Sequence, residues 1–424
     1  MATVTWIGGA PAIAQVGKFT VTADDAATTY SITIGNTIVS VLGTGASVAA
    51  DAAAIVAACT ACTAGQFLEI TFSNPSGAIV QLTANTPGTP FTATSGASGG
   101  AGTIGSYTAI TANQSGNDLD NLQNWSTSAG GYALPANGDT VVFSEQSSIP
   151  VYWNLGSLSA ITPAAIIVTQ GYTGQLGLPD TNIFGTPYPE YRATDIAFNS
   201  QASSKLTIGQ GPGNGCGLQR WKLGSSSAWT ITVFNTGSST ETGRQAVNIY
   251  SSSASNILTI LGGSVELCGL QGQTFTASTI TCGVSGQGAS TPSLVLNVGC
   301  TLTTVTVGSG QLLLSAAATT LTVNGGLIYV YGSGAVTTLS VSNAQCYYQG
   351  TGTITTLNVR TGGYFDLGQA GPSVTITNTV NLFEGSIFND VTYREASSTA
   401  FLLSGCLISD VTINLGPART LTVT

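Results

Sequence analysis

Histidine is absent from this 424-residue sequence, which removes the side chain that most often acts as a general acid or base near neutral pH. Every Ser-His-Asp and Cys-His catalytic arrangement is therefore excluded. A zinc site is also disfavoured, because Cys59 and Cys62 form the sole Cys-x-x-Cys pair and no histidine can complete a ligand set. We interpret these two cysteines, and most of the other six, as small apolar core residues. Nothing in the sequence requires a disulfide, and the sequence predicts no metal and no cofactor.

Charge is also scarce, since only 6% of the residues are charged and the net charge is −9. No basic patch is available to neutralise phosphates, so nucleic-acid binding is not expected. No apolar run reaches about 18 residues, so we expect no transmembrane helix. The first residues lack the basic region and the continuous apolar core of a secretory signal, so we expect synthesis in a cytoplasm without export by that route.

What the sequence does contain is a repeat of short alternating segments between residues 302 and 367. Four segments of the pattern Thr-Thr-x-x-Val start 16, 18 and 18 residues apart, at Thr303, Thr319, Thr337 and Thr355. Each is followed by a turn-forming triplet and by a second apolar or aromatic run, which is typical of a stacked solenoid. Because side chains alternate along a strand, Leu and Val share one face of each segment and Thr and Ser share the other.

A single coil of this size cannot bury its apolar face alone, so the coils must stack and hydrogen-bond to their neighbours. The repeat therefore predicts a mainly β fold, a parallel β-solenoid (β-helix) with a small α+β N-terminal domain. Leu and Val should form its interior, and Thr and Ser its surface. The repeat length also predicts that Cys282 and Cys300, which are 18 residues apart, stack in adjacent coils.

The register of the second strand in each coil stays open at this point. Phe365 and Leu367, on either side of Asp366, indicate one phase, whereas Ile328 and Val330 indicate the other. Either the corner lengths vary between coils, or both faces of the strand are covered, for instance by identical chains in an oligomer.

Composition and pattern divide the chain into four parts. Residues 1–95 contain alternating strands and a helical segment from Ser47 to Ala58, which predicts a small α+β domain for docking or spacing. Residues 96–120 form a Gly/Ser-rich connection. Residues 121–254 are predicted as an irregular β-solenoid with protruding loops, and residues 255–424 as a regular one.

A motif of about 25 residues opens the irregular solenoid. Asn121-Leu-Gln-Asn-Trp-Ser126 is followed by a Gly-rich spacer and by Pro135-Ala-Asn-Gly-Asp-Thr-Val-Val-Phe143. This pattern resembles the opening of β-solenoid repeats in autotransporter-like bacterial surface proteins. It is also similar to β-helical proteins encoded among tailed-phage structural genes. Asn137 and Gly138 favour a tight turn before a strand, and we expect Trp125 to cap the open end of the first coil.

The resemblance implies a structural role. It implies a structural virion protein of a tailed phage, either capsid-decorating or fibre-like, that is assembled in the host cytoplasm and located in the virion. The N-terminal domain would dock to other virion proteins, and the chain would form a homo-oligomer, a homotrimer by analogy. The alternative is an adhesin or filament subunit at the bacterial cell surface.

Carbohydrate cleavage by paired carboxylates is the one enzymatic class that the lack of histidine leaves open. The acids available in the irregular region are Asp180, Glu190, Asp195 and Glu241. No spacing in the sequence brings them together, and acids in exposed loops are usually only solvated. We therefore expect no catalytic site, with a carbohydrate depolymerase as the less favoured alternative.

Binding of a host-surface glycan without cleavage is a further hypothesis, based on two loops of the irregular region. Their aromatic and arginine side chains are Tyr188, Tyr191, Arg192, Arg220 and Trp221. Exposed rings beside arginines could hold a glycan. The alternative is that these large rings pack their loops onto the solenoid, as large rings usually do.

Overall fold

The computed structural model describes residues 2–154, 158–180, 195–283, 291–368, 371–395 and 400–416. Its first strand is β1 (Thr3–Trp6), and an α+β domain follows directly. The elements of that domain are β2 (Val16–Ala23), β3 (Thr29–Ile34), β4 (Thr37–Leu42), α1 (Val48–Thr60), α2 (Gly65–Leu68), β5 (Ile70–Ser73), β6 (Ile79–Ala84), β7 (Ala93–Ser98), β8 (Thr103–Ile104) and β9 (Thr108–Thr111).

This domain is built from two antiparallel sheets and a helix around a core of its own. One sheet has the order β5-β6-β2-β8, with β9 also pairing with β2, and the other has the order β4-β3-β7. Helix α1 begins where the Ser47 side chain accepts a hydrogen bond from the N–H of Ala50 at 3.1 Å, as an N-cap residue does. Ile55 on this helix packs with Phe19, Ile32 and Leu82 in the domain core.

The remaining strands form two long ladders. The first contains β10 (Trp125–Thr127), β11 (Thr140–Phe143), β12 (Ala165–Thr169), β14 (Lys205–Gln210), β16 (Thr230–Val233), β18 (Asn256–Ile260), β20 (Phe275–Cys282), β22 (Cys300–Val307), β24 (Ala317–Val323), β26 (Val336–Val341), β28 (Ile354–Val359), β30 (Ile376–Leu382) and β32 (Phe401–Leu403). The second contains β13 (Ile196–Phe198), β15 (Gln219–Leu223), β17 (Val247–Ser251), β19 (Ser264–Leu267), β21 (Ser293–Leu296), β23 (Gln311–Leu314), β25 (Leu327–Val330), β27 (Gln345–Tyr348), β29 (Tyr364–Asp366), β31 (Ile387–Asp390) and β33 (Thr412–Leu415).

These ladders confirm the predicted parallel β-solenoid. The first has the order β10-β1-β11-β12-β14 and then every second strand to β32, and the second runs from β13 to β33 in the same alternating way. Apart from the antiparallel β10, neighbouring strands are parallel. Leu321, Leu339 and Leu357 lie directly above one another and are fully buried. Burial of each such side chain contributes about 1.5–3 kcal/mol, and their hydroxyl-bearing neighbours face outward.

The second ladder resolves the open question of register in favour of varying corner lengths. Ile328 pairs with Cys346, which pairs with Phe365, and all three are buried. The first step is 18 residues and the second is 19 (346−328 and 365−346). One extra corner residue therefore shifts the sequence phase while the buried face stays the same.

The predicted stacking of Cys282 on Cys300 is wrong. Cys282 pairs with Val307, and Cys300 pairs with Phe275. The step between paired residues of β20 and β22 is 25 residues (300−275), which is longer than the repeat of 16 to 18 residues on which the prediction was based. Sγ of Cys300 lies 3.7 Å from Sγ of Cys268 instead, and both thiols are free.

The start of the chain also differs from the predicted boundaries. β1 pairs with β11 and β10, so the first residues belong to the solenoid and the α+β domain is an insertion of about residues 16–111. Residues 96–120, predicted as a loose connection, contain β8, β9 and the end of β7. These strands could not be predicted from their Gly/Ser-rich composition, because they pair with β2 and β3, which are distant in sequence.

The Asn-x-x-Asn-Trp motif closes the end of the solenoid where the inserted domain leaves it. The buried side chain of Asn124 accepts a hydrogen bond from the N–H of Ala10 at 2.8 Å and donates to the carbonyls of Ser115 and Asp118. Trp125 is fully buried and packs edge-on against Trp6, with 5.2 Å between ring centroids. This position agrees with the capping role expected for Trp125.

Asp118 in this cap should make stability depend on pH. Its side chain is buried, and burial, together with the charge of Asp120, raises its pKa to about 7. A group whose pKa is higher in the folded than in the unfolded protein stabilises the fold at pH values below the unfolded-state pKa. That stabilisation is lost as the pH rises through the folded-state pKa. We expect Asp118→Asn to be about as stable as the wild type at pH 4 and more stable by about 4 kcal/mol above pH 7. Urea denaturation across this range measures the difference, and a difference independent of pH would contradict the assignment.

Candidate functional site

Charged side chains collect on the outer face of the second ladder, near its first strands. Arg220 on β15 and Glu266 on β19 lie in one column, separated by Asn248 on β17. Arg244 precedes β17, and the preceding loop contributes Glu241. Together with Asp180, the two arginines and two glutamates form what we call the ion-pair cluster.

The ion-pair cluster alternates carboxylates and guanidinium groups. Arg220 Nη2 contacts Glu241 and lies 3.8 Å from Asp180 Oδ1. Arg244 reaches Asp180 Oδ2 at 2.5 Å and donates through Nε to Glu266 Oε1 at 2.6 Å. The backbone N–H of Asp180 donates to Glu241 Oε1 at 2.9 Å. Three carboxylates thus share two cations, an arrangement that holds two loop segments and two strands together.

Arg220 is the deepest member of the ion-pair cluster, with 2% of its side chain exposed. Burial lowers the pKa of its guanidinium, and the charge of Arg244 lowers it further, whereas Asp180, Glu266 and Asp195 act in the opposite direction. Its Nε and Nη1 have no hydrogen-bond partner among the described residues. A buried charge of this kind is held mainly by its carboxylate neighbours, so removal of either partner should be costly.

The fold brings together some of the acids considered for carbohydrate cleavage. Asp180 and Glu241 meet in the ion-pair cluster, where both face arginines. Asp195 lies apart from these contacts and accepts a hydrogen bond from Tyr250 Oη at 2.8 Å. Burial raises the pKa of Asp195, which favours its protonated form. Glu190 lies outside the described residues. The contacts of Asp180 and Glu241 are thus those of ion-pair partners.

Of the five residues predicted to bind a glycan, the structure describes Arg220 and Trp221, and both are buried. Tyr188, Tyr191 and Arg192 lie outside the described residues. Trp221 is fully buried, packs 6.4 Å from Phe143 between ring centroids, and donates from Nε1 to Gln219 Oε1 at 3.1 Å. Neither Trp221 nor Arg220 offers an exposed group to a sugar. Trp221 instead follows the alternative reading, in which large rings pack against the solenoid.

Sequence reasoning missed an aromatic column on the outer face of the second ladder. Tyr329 and Tyr347 are directly paired on adjacent coils and stack with ring centroids 5.3 Å apart. Tyr331 stacks on Tyr329 at 6.1 Å, and Tyr364 lies 5.9 Å from Tyr347. A shallow groove of about 380 Å³ adjoins Tyr364 and is also lined by Asn343 and Gln345. The alternation of Leu327–Tyr331, read in the correct phase, would have predicted these outward rings.

The outer face of the first ladder is chemically uniform by contrast. One column contains hydroxyl and amide side chains on successive coils: Thr207, Thr232, Thr259, Thr281, Thr306, Thr322, Ser340, Asn358 and Asn381. The amide of Asn381 donates to that of Asn358 at 2.7 Å, which in turn donates to Ser340 Oγ at 3.1 Å. None of these nine residues carries an acidic, a basic or a thiol group.

The described residues contain neither a cluster of metal ligands nor a helix that could span a membrane. Across residues 2–416, leaving aside the five undescribed gaps, no three or more Cys, Asp or Glu side chains are grouped closely enough to hold a metal ion. Among the helices of that same part of the chain, none has the length and hydropathy needed to span a membrane. Comparison of the chain with protein-family models, curated proteins and solved structures gave no match.

Proposed function

We propose that this chain is a structural component of a virus particle of the tailed-phage type. In this proposal the solenoid forms a stiff projection, as a capsid-decorating or fibre-like element, and the inserted domain contacts other virion proteins. The observation that carries the proposal is the first ladder, which continues from β11 to β32 in parallel pairing around one hydrophobic core. Such a stack bears load along its length and does not require an active site.

Three features support a structural role over a catalytic one. The hydroxyl and amide column presents a neutral surface, and the carboxylates Asp180, Glu241 and Glu266 are engaged by arginines. The inserted domain has a core separate from that of the solenoid and is joined to it by two chain segments. Two connections restrain a domain more than one flexible linker does, as an anchoring element requires.

The experiment that tests this proposal is localisation in native material. Antibodies raised against the purified chain should label particles banded on a density gradient from the source culture. Quantitative mass spectrometry should find the chain in a constant ratio to the major capsid protein. Recovery with the bacterial envelope instead would support the adhesin alternative and contradict the proposal. Release of reducing ends from host polysaccharide by the pure protein would support the depolymerase alternative.

Binding of a host-surface glycan by the projection is a second proposal, favoured by the aromatic column on the outer face of the second ladder. We expect the protein to be retained on immobilised host polysaccharide and Tyr347→Ala to weaken that retention at least tenfold. Tyr347 is half-buried and outside the core, so the variant should stay folded. Thr322→Ala, on the opposite outer face, is the matched control. Equal retention of wild type and Tyr347→Ala would contradict this role for the column.

A further inference from the structure

Strand β4 of the inserted domain ends its sheet with an unpaired edge. Within the described residues β4 pairs with β3 alone. The N–H of Gly43, just after β4, donates to the carbonyl of Thr28 at 2.7 Å and so points toward β3. Because backbone groups alternate in direction along an antiparallel strand, those of Val39 and Val41 also point toward β3. Those of Ile38, Ser40 and Leu42 point away from the sheet.

This edge lacks the features that usually prevent strand pairing between molecules. Natural edge strands are commonly protected by charge, proline, a bulge or a covering element. Residues 37–42 contain no charged residue and no proline, and the six residues pair with β3 in continuous register. Ile38 is 62% exposed and Leu42 is 60% exposed. On the same face the neighbouring β3 side chains are Thr29, Ser31 and Thr33, which are uncharged.

The sequence of the strand specifies which partner fits this edge. Ile38-Val-Ser-Val-Leu42 reads almost identically in both directions about Ser40. If a second copy pairs antiparallel on a twofold axis at Ser40, Val39 faces Val41 of the second copy and Ile38 faces its Leu42. Each exposed apolar side chain then meets another, and Ser40 meets Ser40 of the second copy. An interface of this kind, in which the same patch serves both subunits, is the usual basis of a C2 dimer.

We propose that two copies of this chain associate through β4, joining two three-stranded sheets into one six-stranded sheet. The outward N–H and carbonyl groups of Ser40 would exchange hydrogen bonds with those of Ser40 in the second copy. Ile38 and Leu42 would be paired in the same way at each end. A sheet of six strands is of ordinary size. The pairing uses β4 of the inserted domain and needs no other protein, so its test does not depend on the virion role proposed above.

The first test measures mass in solution for a matched pair of lysine variants of the full chain. Ser40→Lys places like charges directly opposite each other across the axis, which is destabilising in an antiparallel pair. Thr94→Lys adds the same charge on the same face of β7, which is two strands from the free edge. We expect sedimentation or light scattering to show Ser40→Lys with half the wild-type assembly mass and at least tenfold weaker association. Thr94→Lys should match the wild type.

The second test traps the contact covalently. Opposite residues in a hydrogen-bonded antiparallel pair have Cα atoms about 5.5 Å apart, so Ser40→Cys should be linked across the axis by a short bis-maleimide. Thr94→Cys, which adds one thiol away from β4, is the first control. The wild type is the second, because its native thiols are buried or half-buried. A covalent dimer in Ser40→Cys alone supports the proposal. A wild-type monomer at all concentrations, or an assembly mass unchanged in Ser40→Lys, would overturn it.

Discussion

Arg220→Met is expected to lower the free energy of unfolding by about 3–5 kcal/mol, because removal of one partner from a buried ion pair leaves the other charge uncompensated. Arg220 is 2% exposed and contacts Glu241, which is itself only 15% exposed. Methionine fills a similar volume, so the loss reports the missing charge more than a cavity. Urea denaturation at pH 7, followed by tryptophan fluorescence, measures it.

The controls for this prediction come from the same strand and the same pair. Lys222→Met changes an exposed cation two residues away and should alter stability by no more than about 0.5 kcal/mol. Glu241→Gln added to Arg220→Met should recover part of the loss, because it removes one uncompensated carboxylate. A loss below about 1 kcal/mol in Arg220→Met would show that the ion-pair cluster does not hold this region together.

Leu339→Asp is expected to unfold the solenoid locally around β26. Leu339 is fully buried between Leu321 and Leu357, and loss of a buried leucine side chain alone costs about 2–5 kcal/mol. An unpaired carboxylate in this position adds several kcal/mol more. Because each coil contacts only its neighbours, the unfolding should be confined to the altered coil and the coils that follow it in sequence. Limited proteolysis with mass spectrometry should release a stable N-terminal fragment that ends near residue 330.

Ser340→Asp is the matched control, since it introduces the same group one residue later on the outer face. Ser340 is half-exposed beside Asn358, so the carboxylate stays hydrated and the cleavage pattern should remain that of the wild type. Equal resistance of Leu339→Asp and wild type to protease would contradict the buried column. So would complete degradation of both aspartate variants.

The regular solenoid could be predicted because its signal is local. Leu321, Leu339 and Leu357 repeat at a nearly constant spacing, and alternation within each strand assigns the inner face. The position of β1 could not be predicted in this way, because its partners β10 and β11 are more than 110 residues away in sequence. The number of residues in each corner could not be predicted either. One extra residue before Phe365 shifts the phase of the buried positions in the sequence, although the buried face of the ladder stays the same.

The candidate site was less predictable than the fold. Asp180 and Glu241 are 61 residues apart, and only the three-dimensional path of the irregular coils brings them to the same arginine. The Gly-rich sequence before Trp221 indicates a loop, whereas Trp221 lies on β15. Four of the five residues of its strand are buried, on both faces, so alternation gave no indication of which side chains reach solvent. Ion pairs between residues of different coils produce no periodic pattern in the sequence.

The most direct test of the account measures distances along the hydroxyl and amide column by double electron–electron resonance. Two column residues at a time are changed to cysteine and labelled with nitroxides. Cys62 and Cys406 are changed to serine, because they are the two native cysteines that are not buried. Adjacent coils are about 4.8 Å apart, so backbone separations should be about 29 Å for Thr232 and Asn358, six coils apart, and about 38 Å for Thr207 and Asn381, eight coils apart. The account predicts narrow distributions that lengthen in proportion to the number of coils. Distances unrelated to coil number would contradict a single continuous stack.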